Sequence, residues 1–298
     1  MGHPLLSMNP LLFVMSTLWI REHNRVCNIL FKKCPQWSDE RLYDTSKLIV
    51  IGEMISIMSN EIMNAHTKYS LKLRYEPEIL QTSVSIPLAN GINSPDELLF
   101  ATMWPSSLPD KLNLTSLSSL LFGNNRQLFV DGLSNIIQLM ISQKMGMITS
   151  NNDGPATEPL TKVMLKLSRE KKFQSFNNYR RHLGLVPYNN FYSLTKDKKL
   201  AVQLKNLYED IENVELIPGM LVEKHKNGVV SSTNMAISNN LIMTAILSSP
   251  IGSESWWKQD TFGGDEGFEI VKTATIKKLI CYNLIDQCKS FDVKLKSM

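Results

Sequence analysis

The chain has 298 residues, 43% of them apolar, and a formal net charge of +4. That is enough apolar material for the core of one large domain or two small ones, and the mild, scattered charge gives no case for nucleic acid as a partner. Four cysteines are too few for a disulfide-rich scaffold. The fifteen methionines form no Met-x-x-Met cluster with histidines, so they read as adaptable core filler.

Pro4 to Ile20 is apolar but interrupted by Ser7, Asn9, Pro10, Ser16 and Thr17. It is too short and polar for a membrane span, and it lacks the preceding basic segment and cleavage site of a secretory signal. A buried loop followed by a helix is expected. Trp37-Ser38-Asp39-Glu40 opens the next helix, with Ser38 as the cap and acidic residues in the first turn. Leu42, Leu48, Ile49, Ile51, Met54, Ile55, Met58, Ile62 and Met63 then form a wide apolar stripe, so this helix is long and largely buried.

Pro77, Pro87, Gly91, Asn93 and Pro95 mark an irregular connection. Helical periods run from Leu117 to Met147, broken near Gly123 and Gly132. Thr149 to Pro159 reads as an exposed loop. Phe173 to Glu215 reads as short helices with turns at Gly184, Pro187 and Asn189, and Leu216 to Val222 as a buried apolar segment. Internal repeats are absent and β alternation is scarce. The class is mainly α.

No zinc motif, phosphate-binding glycine loop or nucleophile elbow occurs. The histidines, His3, His23, His66, His182 and His225, are scattered. Each reads as a surface or hydrogen-bonded core residue, and no metal site is expected.

The run Trp19-Ile20-Arg21-Glu22-His23-Asn24-Arg25-Val26-Cys27 carries a family resemblance, and further segments continue it in order. They are Leu48 to Glu53, Tyr69 to Glu78, Phe176 to Arg181, Pro187-Tyr188, Leu207 to Ile211, Val214 to Gly219 and Val222 to Lys224. Trp257-Lys258, Thr261 to Gly264, Gly267-Phe268 and Ile270 to Cys281 complete the set. The chain resembles the C-terminal half of the catalytic domain of the prostaglandin G/H synthases, the cyclooxygenase branch of the animal haem peroxidases.

That resemblance implies a mainly α, partial catalytic domain over residues 1–298. The family's epidermal-growth-factor-like module, membrane-docking helices and distal haem histidine precede the region represented here, so membrane association through those modules is not expected of this chain. It also implies haem b as cofactor, an arachidonate-like fatty acid as substrate, peroxidase and dioxygenase chemistry yielding a prostaglandin endoperoxide, and a homodimer. The implied location is the lumen or membrane of the endoplasmic reticulum, or secretion, where Asn113-Leu114-Thr115 would be a glycosylation acceptor.

The residues at the family's reactive positions differ. In Phe100-Ala101-Thr102-Met103-Trp104-Pro105, the proximal haem-ligand position falls at Pro105 or Trp104 and the radical tyrosine at Thr102 or Ala101. Proline has no nitrogen lone pair to offer, and an indole only donates. Threonine and alanine cannot form a phenoxyl radical. Tyr69 matches the tyrosine at the mouth of the fatty-acid channel, His66 a channel-facing apolar position, and Ile62 the tyrosine that hydrogen-bonds the radical tyrosine.

The acetylated-serine position falls at Ile242 or Met243, or at Ser238 in a gapped match. The family also implies a Cys281–Cys288 disulfide, leaving Cys27 and Cys34 free and buried. The readings that follow are a haem peroxidase and fatty-acid dioxygenase, with this chain alone inactive, a haem-free scaffold, or a coding sequence with a damaged exon.

Overall fold

A computed structural model describes residues 10–62, 75–77, 96–102, 105–108, 111–112, 115–116, 126–143, 146–225 and 230–284. Helix α1, Pro10–Lys33, starts with proline at its first position, where a missing N–H costs nothing. Its every-fourth-residue stripe is Val14, Leu18, Glu22, Val26 and Leu30, all wholly buried. The stripe packs α1 against α2, Asp39–Ile57. Ser38 caps α2 as expected, accepting from the Arg41 N–H at 3.3 Å.

Leu42, Ile49, Val50, Ile55 and Ile57 are buried on α2, whereas Met54 is 40% exposed and lies outside the buried face. Helix α2 runs straight into a π-helical turn, Met58–Ile62.

The middle of the chain supplies α3, Asp96–Thr102, a two-residue hairpin of β1 (Lys111–Leu112) and β2 (Thr115–Ser116), and α4, Arg126–Ser142. The expected break at Gly132 is real: its φ is +77°, open to glycine and strained for other residues. After an irregular stretch come α5 (Glu158–Glu170), α6 (Phe176–His182), α7 (Phe191–Thr195), α8 (Lys198–Tyr208) and α9 (Leu216–Val222). The expected exposed loop ends two residues early, because Glu158 and Pro159 already form the first turn of α5, and Thr157 is buried. The long helix α10, Ser232–Ser248, is followed by α11 (Asp265–Lys272) and α12 (Ile276–Asn283).

Four apolar clusters hold these helices, the smallest around Ile55 and Tyr75. The largest joins Phe100 and Ala101 of α3 to Phe176, Leu194, Leu204, Leu216, Ile217, Met220 and Ile237. A second joins Val14 and Leu18 to Ile136, Ile137, Leu279 and Ile280. A third joins Val26 and Leu30 to Leu42, Ile49, Phe262 and Val271. Apart from that hairpin, the regular structure among the described residues is helical. No helix among them is long and apolar enough to cross a membrane, and no group of three or more His, Cys, Asp or Glu is placed to hold a metal.

Buried polar groups tie α1, α2 and α12 together. Arg25 donates from Nε to Glu22 Oε2 at 2.9 Å. Asn283 Nδ2 donates to the same oxygen at 2.5 Å, and Arg21 Nη1 donates to the Asn283 carbonyl at 2.9 Å. Glu53 of α2 lies in the same knot. Burial, and then the adjacent Glu22 carboxylate, push its carboxyl up to about 9, so it keeps its proton at neutral pH.

An acid whose pKa is higher folded than unfolded binds more protons in the folded state between the two values, here from 4.5 to about 9. Stability is therefore lost as pH rises through that window. Glu53→Gln keeps the shape and removes the ionisation. In calorimetry at several pH values it is expected to raise Tm at about pH 8 and leave it unchanged at about pH 4. Parallel Tm–pH curves for the two proteins would show that Glu53 does not carry this dependence.

Candidate functional site

The buried end of α3 faces the start of α10. Phe100 and Ala101 are each 3% exposed. Phe100 meets Phe173 edge to face, with ring centroids 5.2 Å apart, and the Ala101 carbonyl accepts from Asn234 Nδ2 of α10 at 3.1 Å. One turn earlier, Glu97 accepts from the Tyr179 hydroxyl at 2.7 Å. Three long-range contacts thus fix this short helix.

The N-terminus of α10 is held in turn by a buried ion pair. Arg180 Nη1 of α6 donates to Glu223 Oε1 at 2.6 Å and to Thr233 Oγ1 at 2.7 Å. The Arg180 and Glu223 side chains are 8% and 0% exposed. Glu223 also accepts from the Tyr188 hydroxyl at 3.0 Å and from the Thr233 N–H at 2.9 Å. Arg180 Nε donates to the Val186 carbonyl at 2.8 Å, and its guanidinium stacks 4.2 Å from the Tyr188 ring centre. Asn177 closes the network by bonding both backbone groups of Tyr188 at 2.9 Å.

Burial, then the adjacent Glu223 carboxylate, push the Tyr188 phenol well above its usual range, so it stays a donor. Gly219 makes the approach of α9 to α6 achievable: a Cβ there would fall 2.3 Å from the Phe176 ring.

Further along α10, Ile242 and Met243 are half-buried. Met243 packs with Ile246, Ile251 and Trp257 around Ile55 and Tyr75. Ser238 lies one turn after Asn234, and its hydroxyl donates to the Asn234 carbonyl at 2.9 Å. Ile62 closes the π turn and is half-buried; its neighbour Glu61 accepts from the Ile276 N–H, the first of α12, at 2.8 Å. Ala101 is therefore brought against the start of α10 through Asn234, the acetylated-serine candidates lie further along that same helix, and Met243 joins the cluster at the end of α2.

Tyr69, His66, Trp104 and Cys288 lie outside the described residues, as do His3 and Asn113. Thr102 and Pro105 are described in their backbone only: Thr102 ends α3, and Pro105 begins a short 3-10 turn. Cys281 is disulfide-bonded, while Cys27 and Cys34 are free and half-buried rather than fully buried.

The three described histidines have other surroundings. His23 lies 3.3 Å through Nε2 from the Tyr43 carbonyl, and His225 Nε2 lies 3.0 Å from the Ile148 carbonyl. His182 is exposed at the end of α6. The Arg180–Glu223 and Glu22–Asn283 networks were not anticipated as a framework for the site, although Arg180, Tyr188, Glu223 and Glu22 all fall within the motif segments.

The model for the animal haem peroxidase family matches residues 1–290. The chain belongs to the animal haem peroxidase family. Within it the chain is prostaglandin G/H synthase-like. It is 36% identical over 289 residues to prostaglandin G/H synthase 2 of Mus musculus, covering 95% of this chain and 47% of that protein. It is 36% identical, with the same coverage, to prostaglandin G/H synthase 1 of Canis lupus familiaris. The chain thus spans about half the length of these relatives.

In fold it is similar to the fatty acid alpha-dioxygenase of Arabidopsis thaliana, with a TM-score of 0.75 at 20% identity over 92% of this chain and 52% of that one. It is also similar to peroxidase A of Dictyostelium discoideum, with a TM-score of 0.69 at 18% identity over 99% of this chain and 58% of that one. As the periodicity predicts, this animal haem peroxidase is mainly α.

Removing one partner of a buried ion pair leaves an uncompensated charge, and such changes cost about 3–5 kcal/mol. Arg180→Met is therefore expected to lower unfolding stability by that order in urea titration. Pairing it with Glu223→Leu should recover part of the loss. A loss below about 1 kcal/mol for the single change would mean that the pair does not hold α10.

Proposed function

We propose that this chain is the C-terminal part of one prostaglandin G/H synthase-like catalytic domain, and that its own residues do not supply the family's haem ligand or radical tyrosine. The reaction of such a domain is the haem-dependent oxygenation of an arachidonate-like fatty acid, in a homodimer located in the endoplasmic reticulum lumen or outside the cell. The names of its relatives, prostaglandin G/H synthase and fatty acid alpha-dioxygenase, support fatty acid as the substrate class.

The observation that carries the second part is the chemistry of residues 100–105, Phe-Ala-Thr-Met-Trp-Pro. No side chain in this run has an imidazole or a phenol, so the donor set does not fit an axially ligated haem. The Ala101 carbonyl is already engaged by Asn234. Ile62 and the α10 residues Ile242 and Met243 add apolar surface at the positions that the resemblance assigns to the radical tyrosine's partner and the acetylated serine. Losing both phenols together avoids leaving one buried hydroxyl without a partner. This chain's contribution is then to shape and dry an apolar channel and to brace it through the Arg180–Glu223 pair.

Oxygen-electrode assays of the full chain with haemin and arachidonate are expected to show no sustained uptake, and haemin titration no shift of the Soret band. Pro105→His alone should not restore uptake, because Thr102, Ala101 and Ile62 still lack the phenols. Sustained uptake by the unmodified chain would overturn this reading; its abolition by His66→Ala would identify His66 as the substitute ligand.

A further inference from the structure

A cavity of about 420 Å³ opens between the end of α2, residues 75–77, the 257–259 turn and α11. That volume falls in the range of about 300–1,000 Å³ usual for small-molecule sites. Several of its lining residues, Tyr75 to Pro77, Trp257, Lys258 and Phe268 among them, fall in segments that carry the family resemblance, but none is a residue to which that resemblance gives a role in catalysis or in binding haem or fatty acid.

Its walls are aromatic. Tyr75 and Trp257 meet edge to face with centroids 4.5 Å apart, and Phe268 stands 6.4 Å from Trp257, also edge to face. Tyr75 is held in place at both ends: its N–H donates to Asn60 Oδ1 at 2.9 Å, and its hydroxyl donates to the Gly252 carbonyl. The phenol is therefore not free to turn inward.

One polar group along the wall is unsatisfied. Ser56 is wholly buried, lines the cavity, and its hydroxyl has no hydrogen-bond partner. A buried hydroxyl left in that state is costly, and most serines within helices satisfy theirs on their own backbone. The charged lining cancels. Lys258 and Lys272 stand with Glu76 and Glu269, and Lys272 is already paired with Glu269 at 3.0 Å and lies over the Phe268 ring.

We propose that this cavity binds a small neutral aromatic molecule of one or two rings that carries a hydroxyl group, with the rings against Trp257 and Phe268 and the hydroxyl on Ser56. The aromatic walls select a flat apolar body. The balanced rim selects against net charge, and the serine hydroxyl, both donor and acceptor, selects a group that can do the same. This inference goes beyond the proposed function and needs neither haem nor fatty acid.

The test is calorimetry and saturation-transfer NMR on the full chain with 2-naphthol, naphthalene and naphthalene-2-carboxylate. 2-Naphthol is expected to bind tightest. Ser56→Ala should weaken 2-naphthol by about five- to tenfold, the usual worth of one hydrogen bond, and leave naphthalene unchanged. The variant removes a hydroxyl that bonds nothing, so it should fold. Thr273→Trp, checked for helicity by circular dichroism, should close the cavity and abolish binding of both.

Three results would overturn the proposal: no binding of 2-naphthol, as a cavity holding only water would give; binding no tighter than that of naphthalene or the carboxylate; or binding that survives Thr273→Trp.

Discussion

Glu223 has no solvent exposure, and it gathers donors from three parts of the chain: Arg180 on α6, the Tyr188 hydroxyl, and the backbone N–H of Thr233 at the start of α10. A carboxylate taken out of water is tolerated only when its lone pairs are met in this way. The consequence is directional. Because Glu223 directly follows α9 and Thr233 lies in the first turn of α10, the pair fixes where α10 starts. From that start, Asn234 reaches the Ala101 carbonyl, and Ile242 and Met243 take their places two to three turns on. The end of α3 at Ala101 is thus positioned by a salt bridge it does not touch.

A second buried carboxylate plays a comparable part at the other end of the fold. Glu22 interrupts an otherwise apolar stripe on α1 and is satisfied by Arg25 and by Asn283, which lies 261 residues away. The two networks differ in charge balance. Arg180 and Glu223 form one cation and one anion, while Glu22 and Glu53 place two carboxyl groups near the single guanidinium of Arg25. The second arrangement holds only while one carboxyl keeps its proton.

Local features were legible from the residues alone because their causes are local. Ser38 caps α2, Gly132 breaks α4, and the 216–222 segment is buried because its composition demands it. The family was legible in ordered motifs, and the composition of residues 100–105, free of histidine and tyrosine, is read directly from the sequence. What could not be read were contacts set by the fold. Nothing around Asn234 announces that it will bond a carbonyl 133 residues earlier. Met54 fits the apolar period of α2 yet faces solvent, because a stripe that wide exceeds the surface the neighbouring helices cover. The raised pKa of Glu53 depends on its burial in the folded core and then on Glu22, thirty-one positions away.

The π turn at Met58–Ile62 has a consequence for how this chain tolerates changes in length. Such a turn holds one residue more than a regular α turn. Removing one residue there would let the helix relax to ordinary geometry while the stripe of α2 before it kept its facing. The same removal a few positions earlier would turn every later side chain by about 100° about the axis and carry Ile55 and Ile57 out of the core. The five residues of this turn are therefore a seam at which loss of a residue can be absorbed, provided that Asn60 and Glu61, two of the five, still hold Tyr75 and the start of α12.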